Sequence, residues 1–273
     1  MRSAFGAVAA TCLLIGSFAP ARAQDQDGTL KKVKETGTFT VGHRDSSIPL
    51  SYLDDRLRPV GFSIDLCRRV VEAVKTKLGM PDLKVAYMSS RQKQVAFSYT
   101  FFVPQFKWIT RAGSGISSAD DLRSKTVAVT AGTNTALFVN KMNNEEQRGL
   151  TVMSGKDHAE SFLLVETGRA SAWMEDDILI AGFRANAKNP AGFKLLDKAY
   201  PSDPYALMMR KDDAPFKGLV DETLAGLMRS GEFEKLYAQW FESPIPPRGI
   251  NIELPMSDAL KRDIMEPNDR PNS

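Results

Sequence analysis

Cysteine and histidine are the scarcest residues that matter chemically in this 273-residue chain, with two of each. Cys12 lies in an N-terminal leader, which leaves Cys67 alone and excludes an intramolecular disulfide. With only His43 and His158, a histidine-rich metal site is excluded. No HExxH, CxxC, G-x-S-x-G or phosphate-loop motif occurs. A hydrolase needs a nucleophile beside a base, and no pattern points to one. No catalytic residue, metal or cofactor is therefore expected. Net charge is equally scarce: 36 Lys and Arg oppose 33 Asp and Glu, and Arg2 and Arg22 belong to the leader. That balance makes no field for nucleic acid. Past the leader, no apolar window is long enough to span a bilayer.

The leader itself is informative. Arg2 is followed by an apolar run from Ala4 to Ala19, and Ala21-Arg22-Ala23 ends it. This is the charged, greasy and small-residue sequence of a secretory signal peptide. Residues 1–23 are expected to be cleaved near Ala23, so that the working protein starts at Gln24 and lives in a bacterial periplasm.

The rest alternates between strand and helix signals. TFTVGH at 38–43 reads as a strand, residues 62–78 as a helix with apolar positions 67, 70, 71, 74 and 78 on one face, and LKVAYM at 83–88 as a second strand. Such strand–helix–strand units build parallel sheets. Ser118 to Asp121 resembles a helix-starting box. TVAVT at 126–130 reads as a strand leading into a helix towards Met142. A helix over 157–167, a strand over 170–174, a helix over 176–187 and a strand over 205–209 follow. Helices are expected over 214–229 and 231–241, then an extended tail after Pro244. Cys67, on the inner helix face, is expected to be buried and inert.

Three places suit recognition. Thr130-Ala-Gly-Thr133 lies where a strand turns into a helix; its backbone N–H groups suit a carboxylate or phosphate, or Thr133 is an ordinary cap. Arg44 ends a strand and is either solvated or a ligand contact. Asp176 and Asp177 follow an apolar strand and either cap the next helix or meet an amine.

Several blocks together resemble the periplasmic binding proteins of polar amino acid ABC transporters, in particular the glutamate/aspartate-binding group. They are Gly42 to Pro49, Arg91 to Ser98, Thr126 to Thr133, Lys156 to Phe162, Glu166 to Arg169, Asp176-Asp177, Arg210 to Asp213 and Pro244 to Pro247. The resemblance implies an α/β, two-lobe binding protein of the hinge-closing type II, with lobe 1 from 24–111 and 204–273 and lobe 2 from 112–203. It implies L-glutamate or L-aspartate as ligand, an ABC permease as partner and a monomeric state. Arg91 matches the arginine that grips the α-carboxylate, a task suited to guanidinium. Thr133 would hold the same carboxylate and Asp176 the ammonium. Arg44, Thr130 and His158 match residues near the side-chain carboxylate or cleft rim.

One departure stands out. In the family a helix and another strand separate the strand at 83–88 from the arginine motif and bring a second specificity arginine, a Gly-Ser-Thr-Thr loop and a cysteine. Here only Ser89 and Ser90 intervene, and a strand–helix–strand unit takes roughly 30 residues. Lobe 1 is therefore expected to be truncated, with Ser89 and Ser90 as partial substitutes. A degenerate paralogue that acts through protein contacts is one alternative, and an enzyme on the same fold another.

Overall fold

A computed structural model describes residues 28–89 and 95–270. The chain runs through α1 (Thr29–Thr36), β1 (Thr38–His43), β2 (Ser46–Ser47), β3 (Ser51–Leu53), β4 (Pro59–Val60), α2 (Phe62–Leu78), β5 (Lys84–Ser89), β6 (Val95–Phe102) and β7 (Gln105–Arg111). It continues through β8 (Thr126–Thr130), α3 (Asn134–Glu145), β9 (Thr151–Gly155), α4 (His158–Glu166), β10 (Ala172–Asp176), α5 (Asp177–Asn186), β11 (Phe193–Leu195) and β12 (Tyr200–Pro201). β13 (Tyr205–Arg210), α6 (Ala214–Arg229), α7 (Glu232–Phe241) and α8 (Asp258–Met265) complete it.

The middle of the chain forms a six-stranded sheet in the order β11-β7-β10-β8-β9, with β12 also on β7. β9, β8 and β10 are parallel, and β7 runs antiparallel to β10. β8 and β10 are buried nearly throughout because both faces of the sheet are covered. Val127, Val129 and Met174 point to the core containing Val139 and Met142 of α3. Ala128 and Trp173 point to the opposite core, with Phe162 of α4 and Phe183 of α5.

The flanking segments share a different core. β1 pairs in parallel with β5, β6 pairs with β13, and β2-β3-β4 form a small antiparallel sheet. Helices supply most of the packing. Phe62, at the start of α2, is fully buried and meets the rings of Phe101, Phe233, Tyr237 and Phe241 at centroid distances between 5.0 and 6.1 Å. Such edge-on clusters add to the burial of the rings themselves.

The structure adds strands β6, β7, β9, β11 and β12 to those expected, and it departs from the sequence reading elsewhere as well. β7, assigned above to the end of lobe 1, pairs with β10 from Phe106 to Thr110, so the boundary expected at 111/112 falls beyond a strand of the central sheet. The two cores separate between Phe102 and Phe106 and again between Tyr200 and Tyr205. Ser118 to Asp121 does not open an α-helix: the Asp121 carboxylate accepts the Ser117 and Ser118 N–H groups at 2.8 Å each, which leads into a single 3-10 turn. The tail is not wholly extended. Ser257 caps α8 by accepting the Leu260 N–H at 3.2 Å, and Leu260 and Ile264 bury one helix face. Cys67 is half-buried against the first core, and desolvation pushes its thiol up to about 12.

Candidate ligand-binding site

β9, β8 and β10 end at Gly155, Thr130 and Asp176, and the chain enters α4, α3 and α5 close behind them. Ligands on parallel sheets collect outside the carboxyl ends of strands. Three helix starts at one edge favour negative charge there. Thr133 caps α3: its hydroxyl accepts the Ala136 N–H at 3.2 Å and donates to the Thr130 carbonyl at 2.8 Å. Asp157 caps α4 by accepting the Glu160 N–H at 2.9 Å. Gly155 is required by close packing, because a Cβ there would lie 2.4 Å from Ser161 Oγ. Its bareness lets the first turn of α4 close onto β8, where Ser161 Oγ lies 3.0 Å from the Val129 carbonyl.

A buried polar chain crosses this edge. Thr130 Oγ1 lies 3.0 Å from Ser161 Oγ and 3.0 Å from His158 Nδ1. The same Nδ1 lies 3.3 Å from Glu175 Oε2. Glu175 Oε1 accepts the Thr135 hydroxyl at 2.8 Å and the Asp176 N–H at 3.2 Å. Asp176 Oδ1 accepts the Ser202 hydroxyl at 2.6 Å, and Oδ2 accepts the Tyr205 hydroxyl. Ser202 and Tyr205 lie at the return from the central sheet to the flanking core. Burial, then the neighbouring Glu175 charge, push the Asp176 carboxyl up to about 7, against the two hydroxyl donors that hold it down. An unpaired ammonium arriving beside Asp176 would restore its charge.

Of the six residues singled out from the sequence, the structure brings Thr130, His158 and Asp176 into one network through Glu175. Thr133 stands at the same edge, with its hydroxyl engaged in capping. Arg44 is half-buried at the end of β1, and Ser51 Oγ bridges its backbone, accepting from its N–H at 2.9 Å and donating to its carbonyl at 3.0 Å. β2, just beyond it, approaches α4 to within 8 Å between Cα atoms. Arg91, Ser90 and the leader 1–23 lie outside the described residues. Sequence reasoning missed Thr135, Ser161, Glu175, Ser202 and Tyr205. Only Glu175 left a signal, as a charged residue inside the apolar run AWM-E-D. Among the described residues no group of His, Cys, Asp and Glu could hold a metal ion, and no helix is long and apolar enough to cross a membrane. A cavity of about 600 Å³ lies on another side of α4, lined by Lys156, Glu160, Leu163, Phe183, Lys188 and Arg248.

Residues 79–243 match the family model for bacterial extracellular solute-binding proteins, family 3. The chain belongs to this family. It is 39% identical over 293 positions to the glutamate/aspartate import solute-binding protein of Escherichia coli K12, with 96% of this chain and 97% of the relative covered. It is 41% identical to the L-glutamate/L-aspartate-binding protein of Pseudomonas aeruginosa, with 92% of each covered. The first alignment has more positions than this chain has residues, so the relative carries positions that this family member lacks. A crystal structure of a mutant ArgBP from T. maritima shares the fold, with a TM-score of 0.67 at 24% identity over 78% of this chain and 99% of that one. The family's fold, a type II periplasmic binding protein, is thus the fold of this member.

Proposed function

We propose that this protein is a periplasmic receptor that captures L-glutamate or L-aspartate between two lobes and delivers it to an ABC permease of the inner membrane. The observation that carries the reading is the convergence of Thr130, His158 and Asp176 at the carboxyl edge of β8 and β10, in a chain so similar to two glutamate/aspartate-binding proteins. We assign residues 105–201 to lobe 2 and the flanking segments, after cleavage near Ala23, to lobe 1. Asp176 takes the ligand ammonium. Arg91 grips the α-carboxylate together with the backbone at Thr133. Thr130, His158 and Arg44 answer the second carboxylate. The receptor works as a monomer without cofactor, metal or nucleic acid. His158, Glu175 and Asp176 are all engaged with neighbours, which favours binding over catalysis.

Calorimetry of the mature protein with glutamate, aspartate, glutamine and asparagine tests this. Glutamate or aspartate should bind, and Arg91→Ala should cost several kcal/mol by leaving a desolvated carboxylate unpaired. Arg44→Ala should weaken the acidic ligands more than their amides. Absence of binding heat for all four ligands would favour a second reading, a paralogue that acts through protein contacts. The small sheets of the flanking region and the positions missing against the E. coli relative support that alternative.

A further inference from the structure

Glu175 is the one buried acid at the site whose chemistry the reading above leaves unused. It is 2% exposed, and its Oε2 has no hydrogen-bond partner among the described residues although His158 Nδ1 stands 3.3 Å away. Thr130 and Ser161 form a hydroxyl chain that ends on the same nitrogen, and such a chain can run either way. In one direction His158 Nδ1–H donates to Thr130, Thr130 donates to Ser161, and Ser161 donates to the carbonyl of Val129 or Asp157, each 3.0 Å away. In the other, Ser161 donates to Thr130 and Thr130 donates to a bare Nδ1. The second direction sets the Nδ1 lone pair against the Glu175 carboxylate. The first sets an N–H dipole towards it. The carboxylate therefore decides the direction.

We propose that Glu175 is a positioning residue that holds His158 with its proton on Nδ1, so that the ring can offer a donor to a ligand carboxylate from Nε2 only by taking up a second proton. The proposal rests on the function assigned above, in which His158 meets the second carboxylate. Nε2 makes no hydrogen bond among the described residues. A neutral ring protonated on Nδ1 presents a lone pair at Nε2, which repels a carboxylate. Uptake of one solvent proton at Nε2 converts the ring to imidazolium, which donates to the ligand there while Nδ1–H faces Thr130 and the Glu175 charge. The other charged groups on the elements around the ring are Asp176 beyond Glu175, Asp177 and Arg184 on α5, Lys107 opposite Glu175 on β7, Arg44 and Asp45 between β1 and β2, and Lys156, Asp157 and Glu160 around the start of α4. β8 carries no charge, and β2 presents Ser46 and Ser47.

Two measurements on the mature protein test this. The first is glutamate calorimetry at about pH 8, in phosphate and in Tris, whose ionisation heats differ. Wild type should take up close to one proton per glutamate, so its affinity should fall about tenfold per pH unit in this range. Glu175→Gln frees the chain to reverse, places the histidine proton on Nε2, and should remove most of the uptake and flatten the pH profile. Glu175→Met carries the same expectation should the amide variant not fold. The second is ¹⁵N NMR of the ligand-free protein, in which His43 is assigned by its own substitution. His158 should carry its proton on Nδ1 in wild type and on Nε2 in the variant. Equal proton uptake in wild type and variant, or an unchanged tautomer, would overturn the proposal. Should glutamate give no binding heat at all, the assigned ligand fails, and the ligand-free NMR measurement still decides the role of Glu175.

Discussion

Residues 105–201 close one six-stranded sheet over two apolar cores and gather a buried polar chain at one edge. The flanking segments, which hold more residues, share sheets of two, two and three strands and lean on helices α2, α6 and α7 and their aromatic rings. The difference shows in where the polar groups lie. In the central region, Thr130, Ser161, His158 and Glu175 are buried and linked side chain to side chain, which is affordable only where a rigid sheet holds every partner in register. Among the described residues the flanking region exposes Leu57, Met88, Phe97, Met208 and Met265 by more than half, where the central region exposes Leu137 and Leu163 by half or more. One region holds polar groups in place on a sheet, and the other packs helices and aromatic rings around small sheets.

The sharpest way to break this contrast is to remove the charge from the rigid side. Asp176 has its folded value pushed up to about 7. The folded protein therefore retains this proton longer than the unfolded chain does. Ligand-free stability should fall as pH rises from about 4 to about 7 and level off above, by an amount on the order of 4 kcal/mol at most. Asp176→Asn can still accept from one of the two hydroxyl donors without the buried charge. Thermal melts of the ligand-free variant should show a higher midpoint than wild type at pH 8 and no difference at pH 4. Amino acid binding should fall by several hundredfold or more, because the ligand ammonium is left unpaired. A variant that melts lower than wild type at pH 8 would show that the carboxylate stabilises the ligand-free fold after all.

A middle-sized effect is expected where the regions touch. Ile178 and Leu179 of α5 are buried in the flanking core, and Gly182 lies one turn further on. A Cβ at Gly182 would sit 2.3 Å from the Ile48 carbonyl oxygen, a contact that only backbone movement can relieve. Gly182→Val should cost about 1–3 kcal/mol, as overpacking usually does. It should also uncouple the two regions, so that differential scanning calorimetry resolves two transitions in place of one. An unchanged single transition would mean that the contact is incidental to their coupling.

Much of this was legible before any coordinates. The helix over 62–78 appears with both ends as expected, because its apolar spacing and the terminal Gly79 act locally. TVAVT and the helix after it followed for the same reason. β6 and β7 were not foreseen. Pro104 between them and Gly113 behind them mark their ends, but neither run alternates apolar and polar residues cleanly, and their pairing is settled by β13 and β10, more than 60 residues away. At the site, the strand-to-helix turn pointed to Thr130 and the acids after an apolar strand to Asp176, whereas His158 came only from the family resemblance. The groups that orient them, Ser161, Ser202 and Tyr205, carry no local signature, since a hydroxyl in a helix or strand reads the same whether it meets water or a buried carboxylate. α8 was missed because prolines before and after it outweighed the short Ser257 to Ile264 pattern.

The smallest expected effect on stability concerns the uncovered side of the flanking region. Met208 pairs with Phe97 across β13 and β6, and both are about half exposed, at 56% and 51%. Met88 near the end of β5 is 57% exposed. Apolar side chains on a two-stranded ladder invite association with other copies, since they gain by covering one another and the ladder has open edges. The double variant Phe97→Ser, Met208→Thr removes the attraction without touching a core or the candidate site. Its unfolding free energy should stay within about 0.5 kcal/mol per site of wild type, as for ordinary surface changes, and glutamate affinity should not move. Light scattering at high protein concentration should show slower aggregation than wild type. Hydrogen exchange of both proteins should show weaker protection over 84–89 and 95–102 than over 105–201, because short ladders open locally at low cost. Uniform protection, or a loss of binding in the double variant, would mean that this exposed face belongs to the functional part of the molecule and that the contrast between the two regions is drawn in the wrong place.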